Sequence, residues 1–276
     1  MNIGVFDSGL GGLTILKAFL KKLPQYDYIY LGDSARVPYG NQSPEIVYEF
    51  TKQAVNFLFK KNCQLVIVAC NTSTATSLRK IQQEFLPKFY PNKRVLGVIK
   101  PIIEELSANN CELGERIGVI GTKATINSDA FNREIKKTFP NALVFQQGCP
   151  LLVPYIEEGI DKNKKIIRLV LKEYLDDLIK KNINVLILAC THYELLKKEI
   201  QKIVGPKIKV ISEGEIVAEK LKDYLLRNQD IEKKLEKKGK RTYFVTDLSQ
   251  DYKKLIKLFL GPNSQEAEIN QVKIDN

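Results

Sequence analysis

The chain has 276 residues, 44% hydrophobic and 27% charged, with a formal net charge of +11. These are globular values and argue against a wholly disordered chain. No apolar run approaches the roughly 18–20 residues of a membrane span, and MNIGVFDSGLGG lacks the basic and long apolar segments of a secretory signal.

In chain order, Asn2–Phe6 reads as a strand and Leu13–Leu23 as a helix with Leu13, Leu16, Phe19, Leu20 and Leu23 on one face. Pro24 ends it. Asp27–Leu31 is a second strand, followed by a polar loop through Tyr39 and Gly40. A helix over Glu45–Lys61, a strand over Leu65–Ala69, a helix over Ser73–Phe85 and a strand over Arg94–Ile99 complete a first series. LVIVA is apolar throughout, as expected of a strand covered on both faces.

The pattern then restarts. Strands are expected at Arg116–Ile120, Ala142–Gln146, Val185–Ala189 and Lys209–Ile211, with helices at Ser128–Thr138, Lys164–Lys180, Glu194–Ile203 and Glu215–Leu226. A late strand at Arg241–Thr246 and a helix at Asp251–Leu260 follow, and the polar tail 262–276 reads as frayed. Alternating strands and helices predict an α/β protein of mostly parallel sheets flanked by helices. Two such series predict two similar domains, residues 1–97 with 210–276 forming the first and 98–209 the second.

Five cysteines cannot all pair within one chain, no CxxC occurs, and a lone His cannot complete the usual Cys/His zinc cluster. With no export signal, reduced thiols and a cytoplasmic location are expected. LVIVACNT (65–72) and VLILACTH (185–192) are alike: an apolar strand ends in Ala-Cys, then two polar residues lead into a helix. Cys70 and Cys190 therefore fall beyond the carboxyl ends of strands, where open α/β sheets bind ligands, and before helices, whose amide dipoles favour a thiolate. A repeated thiol at that corner points to chemistry, while Cys63, Cys111 and Cys149 lack such a setting and read as structural. His192, the one His, stands two residues after Cys190 and is placed to tune that thiol. Asp7-Ser8-Gly9 follows the first strand, and Gly9–Gly12 leads into a helix whose N-terminus suits a carboxylate. Asp7 itself suits a substrate ammonium or a neighbouring acid–base group. The basic run 232–241 lacks interleaved aromatics, so it reads as a solvated helix end and loop. Nucleic-acid binding is not expected from it.

GVFDSGLGG, YLGDSARVPYG, IVACNTSTA and LILACTH resemble the signatures of bacterial glutamate racemases, as do IGVIGTKATINSDAF, LVPYIEEG and SEGEIVAE. The resemblance covers most of the chain and weakens after about Gly239. It implies a cofactor-independent racemase of two pseudo-symmetric α/β domains with its active site in the cleft between them, and no metal. It makes Cys70 and Cys190 the paired acid–base thiols, with Asp7 and His192 as helpers. The groups holding glutamate are then Asp7, Ser8, Tyr39, Gly40, Asn71, Thr72, Thr191 and His192, with Thr122, Thr125 and Glu157 as further pocket positions. Two matched thiols on opposite sides of Cα satisfy the chemistry in both directions. D-Glutamate for peptidoglycan is the implied product, racemisation of aspartate by the same two thiols the alternative, and a homodimer fits such a family. Lys100, Glu213 and the basic insert near 233–240 depart from the expected pattern.

Overall fold

The computed structural model describes residues 1–108, 116–159, 164–248, 256, 259–261 and 269–274. The first sheet begins with β1 (Asn2–Asp7) and β2 (Tyr28–Gly32), joined by α1 (Leu13–Lys22). Leu13, Ile15, Leu16 and Phe19 of α1 are buried while Lys21 and Lys22 close its last turn. Burying such side chains is worth about 1.5–3 kcal/mol each, and the terminal lysines complement the helix dipole. α2 (Pro44–Lys60) starts where Ser43 caps it by accepting the Ile46 N–H, with Pro44 in its first turn. β3 (Cys63–Val68) is buried at all six residues, and β4 (Arg94–Gly97) pairs with it in parallel.

Between β3 and β4 the chain forms α3 (Asn71–Thr76), α4 (Leu78–Lys80), a π turn (Ile81–Phe85) and α5 (Leu86–Phe89). The single helix expected over Ser73–Phe85 is thus broken at Ser77 and runs further. α6 (Ile99–Ala108) occupies a stretch where the sequence suggests only the end of a strand. Pro101 misleads there, but a proline is harmless in a first turn, where its missing N–H has no partner to lose.

The second sheet holds β5 (Arg116–Gly121), β6 (Leu143–Gly148), β7 (Val185–Ala189) and β8 (Lys209–Ile211). Its helices are α7 (Lys123–Asn127), α8 (Ala130–Thr138), α9 (Leu152–Glu157), α10 (Lys164–Lys180) and α11 (Lys197–Val204). The residues after Cys190 form a 3₁₀ turn over Thr191–Leu196 before α11, rather than one helix from Glu194. α12 (Gly214–Arg227) returns to pack on α1 and α6. α13 (Gln229–Glu232) then leads to β9 (Arg241–Val245).

The strand orders are β10-β9-β2-β1-β3-β4 and β6-β5-β7-β8, and every pair is parallel, with β10 being Ile269–Gln271. Both sheets therefore contain the order second, first, third, fourth strand. This shared order is the pseudo-symmetry of two α/β domains, and it puts Cys70 and Cys190 after equivalent strands, β3 and β7.

Two readings change at the C-terminal end. The tail expected to fray contributes β10, and the basic segment is anchored by its backbone. Lys238 and Lys240 N–H groups donate to Asp27 Oδ1 at 2.8 and 3.0 Å, and Leu235 is buried. The helix expected over Asp251–Leu260 lies mostly outside the described residues, as does Cys111. Among the described residues no helix is long and apolar enough to cross a membrane.

Candidate active site

The turn after β1 is built by close backbone approach. Tyr30 Oη donates to Gly9 O at 2.8 Å, and the Gly9 N–H donates to Asp7 Oδ2 at 3.0 Å. A Cβ on Gly12 would sit 2.5 Å from Asp7 Cβ; one on Gly11 would sit 2.3 Å from Thr191 Oγ1 and 2.4 Å from His192 Nδ1. Gly11 therefore admits the Thr191-His192 corner of the other domain, and Gly12 lets the turn close on Asp7. Thr191 Oγ1 donates to Asp7 Oδ1 at 3.4 Å across this junction.

Cys70 caps α3. Its Sγ receives the Ser73 N–H at 3.5 Å and donates to Ser8 Oγ at 3.3 Å. Burial pushes the Cys70 thiol up and the nearby Asp7 adds to this, while Ser8 and Ser73 oppose it. Cys190 lies well above the ordinary thiol range, chiefly through burial, with the His192 N–H opposing and Cys70, Asp7 and Glu213 reinforcing. Cys70 and Cys190 stand at the ends of equivalent strands of the two sheets, and both are buried. Cys63 and Cys149 are also buried, each pushed up to about 12 by burial, with no comparable acidic company.

His192 Nε2 is 3.0 Å from Glu157 Oε1, and Nδ1 lies 4.0 Å from Cys190 Sγ. A carboxylate only accepts, so this contact makes Nε2 the donor and turns Nδ1 toward the thiol. The ring meets Phe259 edge to face at 5.5 Å. Burial raises the pKa of Asp7, with His192, the Gly9 and Gly12 N–H groups and Thr191 opposing.

Three threonine hydroxyls join the domains at a second point. Thr72 Oγ1 is 2.9 Å from Thr122 Oγ1 and 3.2 Å from Thr125 Oγ1, and the latter two are 2.9 Å apart. Thr122 also caps α7 by accepting the Thr125 N–H. Thr122→Val should therefore cost about 0.5–2 kcal/mol, the usual worth of an N-cap. Urea unfolding measures it, and an unchanged midpoint would show the triangle to be dispensable.

Asp7, Ser8, Cys70, Asn71 and Thr72 from the first domain thus meet Thr122, Thr125, Glu157, Cys190, Thr191 and His192 from the second. Gly40 abuts Thr122, since a Cβ there would be 2.6 Å from Thr122 Cβ. Tyr39 is different: its phenol donates a short hydrogen bond to Asp33 Oδ2, which also receives Arg36 Nε at 2.7 Å. Its hydroxyl bonds within the loop. Asp33 and Glu213 are polar residues that sequence reasoning did not place in the site. Asp33 lies inside YLGDSARVPYG and could have been found there. Glu213 follows no period; its Oε2 receives Asn71 Nδ2 at 2.8 Å.

Among the described residues no group of three or more His, Cys, Asp or Glu is placed to hold a metal ion. The family model described as Asp/Glu/Hydantoin racemase matches residues 13–221. The chain belongs to the Asp/Glu/Hydantoin racemase family. It is 42% identical over 272 residues to the glutamate racemase of Aquifex aeolicus (strain VF5), covering 99% of each chain. It is similar to the crystal structure of glutamate racemase from Francisella tularensis in complex with D-glutamate. That match has a TM-score of 0.87 at 36% identity and covers 99% of this chain and 98% of that one. A glutamate racemase isoform from Bacillus anthracis matches with TM-score 0.87 at 30% identity, covering 99% and 97%. The two-domain α/β architecture is that of these racemases.

Proposed function

We propose that the protein interconverts L- and D-glutamate without a cofactor, with Cys70 and Cys190 as the acid–base pair. The observation that carries this is the pair of buried free thiols at equivalent strand ends of the two sheets, whose corners meet where Thr191 bonds Asp7. Glutamate as substrate is supported by the relatives' names and by the D-glutamate complex of the Francisella protein.

Racemisation breaks a Cα–H bond on one face and forms one on the other. One sulfur, as thiolate, takes the Cα proton, and the opposite thiol delivers its own proton to the carbanion. The sulfurs end with their protonation states exchanged, ready for the reverse enantiomer. Each must be a competent base in turn, and matching two like groups achieves this. Burial works against the thiolate, and Asp7 works against it further. The substrate ammonium, received near Asp7, supplies the compensating positive charge. Ser8, Asn71, Thr72 and Thr191 are donors able to stabilise the carboxylate as carbanion charge flows into it. Glu157 holds His192, and His192 serves Cys190 as Asp7 and Ser8 serve Cys70. Thr122 and Thr125 face Thr72 and would hold the far end of the substrate with Gly40.

On this reading the domains divide near residues 97 and 210. The enzyme works in the cytoplasm, and its product feeds peptidoglycan. The test is circular dichroism of L-glutamate incubated with dialysed enzyme and no added cofactor. The signal should decay to zero as the racemate forms; a constant signal with folded enzyme would sink the proposal.

A further inference from the structure

Beside the thiols lies a carboxyl group that the reaction above does not use. Glu213 sits between β8 and α12, is 3% exposed, and shares a narrow seam with Thr14, Cys190, Thr191 and Glu194. Its Oε2 accepts from Asn71 Nδ2 at 2.8 Å, linking the Cys70 corner of one domain to the segment that leaves the other. Among the described residues, the buried side-chain atoms left without a hydrogen-bond partner include Asn71 Oδ1 and Glu213 Oε1. They are the other halves of the same two side chains. Both are acceptors if Glu213 is ionised, and two buried acceptors cannot satisfy one another.

We propose that Glu213 is held as the neutral carboxylic acid, so that it closes a two-bond acid–amide pair with Asn71 and fixes how that amide is presented beside Cys70. One proton on Oε1 turns it into a donor toward Asn71 Oδ1 and settles both orphan atoms at once. The charged surroundings agree. Glu194, in the turn after β7, lines the same seam, and its charge and that of Asp7 disfavour a carboxylate at Glu213. Burial and these acids push its carboxyl well above the ordinary range, against the single opposing bond from Asn71. Lys197 donates to Ser212 Oγ, on the residue before Glu213, at 2.8 Å. An ionised Glu213 would also oppose thiolate formation at Cys190, so the neutral form serves the acid–base pair as well as Asn71. Glu213 is thus a positioning residue acting through Asn71. Its catalytic consequence rests on the racemase reading; its protonation state does not.

Glu213→Gln keeps the shape and the pairing, because an amide can accept from Nδ2 and donate to Oδ1. It should retain kcat/KM for glutamate within about threefold, whereas Glu213→Ala, which orphans the Asn71 amide, should lose about 10- to 100-fold. The direct readout is infrared difference spectroscopy of wild type against Glu213→Gln between about pH 6 and 8. A protonated-carboxyl carbonyl band should be present in wild type throughout and lost in the variant. A carboxylate signature lost instead would overturn the proposal. So would a folded Glu213→Gln enzyme as impaired as Glu213→Ala. If the alanine variant does not fold, the infrared band and the glutamine variant decide. If wild type fails to racemise glutamate, the functional reading falls and the infrared band still judges Glu213.

Discussion

Cys70→Ser and Cys190→Ser should each reduce racemisation of glutamate by about 10²–10⁴-fold, the range set by losing one positioned acid–base group. A serine hydroxyl fills the space but is a far weaker acid than a thiol, so it neither yields a usable base nor replaces the lost proton efficiently. The informative part is the asymmetry. On the proposed mechanism each sulfur serves one side of Cα, so each variant should keep exchanging the Cα proton of one enantiomer with solvent while failing with the other, and the two variants should fail with opposite enantiomers. Exchange in D₂O, followed by NMR for each enantiomer separately, reads this. Equal loss from both enantiomers in both variants would refute the two-thiol assignment. The burial of Cys63 and Cys149 without acidic neighbours predicts that serine at either changes packing and leaves this asymmetry absent.

Gly11→Ala should abolish most activity through geometry alone. The added Cβ would lie 2.3 Å from Thr191 Oγ1 and 2.4 Å from His192 Nδ1, distances real side chains do not adopt. His192 cannot simply rotate away, because Nε2 is held by Glu157 at 3.0 Å and the ring packs on Phe259. The corner carrying Cys190 must instead move back from β1. A displacement of about 1 Å in a site of this kind costs on the order of 10²-fold in rate. Overpacking should also cost about 1–3 kcal/mol of stability. Paired measurements of kcat and urea midpoint check both, and a fully active Gly11→Ala enzyme would show that the Thr191-His192 corner does not need its present seat.

These effects depend on features of unequal visibility in the sequence. The ends of β3 and β7 could be read directly, because LVIVA and VLILA are short apolar runs and the ACNT and ACTH corners repeat. The parallel sheets followed from the same alternation. The helices α6 and α9 were harder, since Pro101 and Pro154 interrupt the pattern yet fall where a helix tolerates them. β10 is only the three residues INQ, held by pairing with β9 and by Ile269 packing on the core. In the site, the bond from Tyr39 to Asp33 could not be read from the loop's composition, because a hydroxyl's partner is a three-dimensional fact. Glu213 was visible only as a departure from pattern. Its pairing with Asn71 joins positions far apart in the chain, which no local spacing could reveal.

The central claim is that separate groups work on the two faces of Cα. Racemisation of unlabelled L-glutamate by the wild-type enzyme in D₂O, stopped early, tests it most directly. The D-glutamate formed should carry solvent deuterium at Cα in nearly every molecule, while the remaining L-glutamate stays largely unlabelled. D-Glutamate that retains the substrate's own proton would mean one group serves both faces, and would contradict the account.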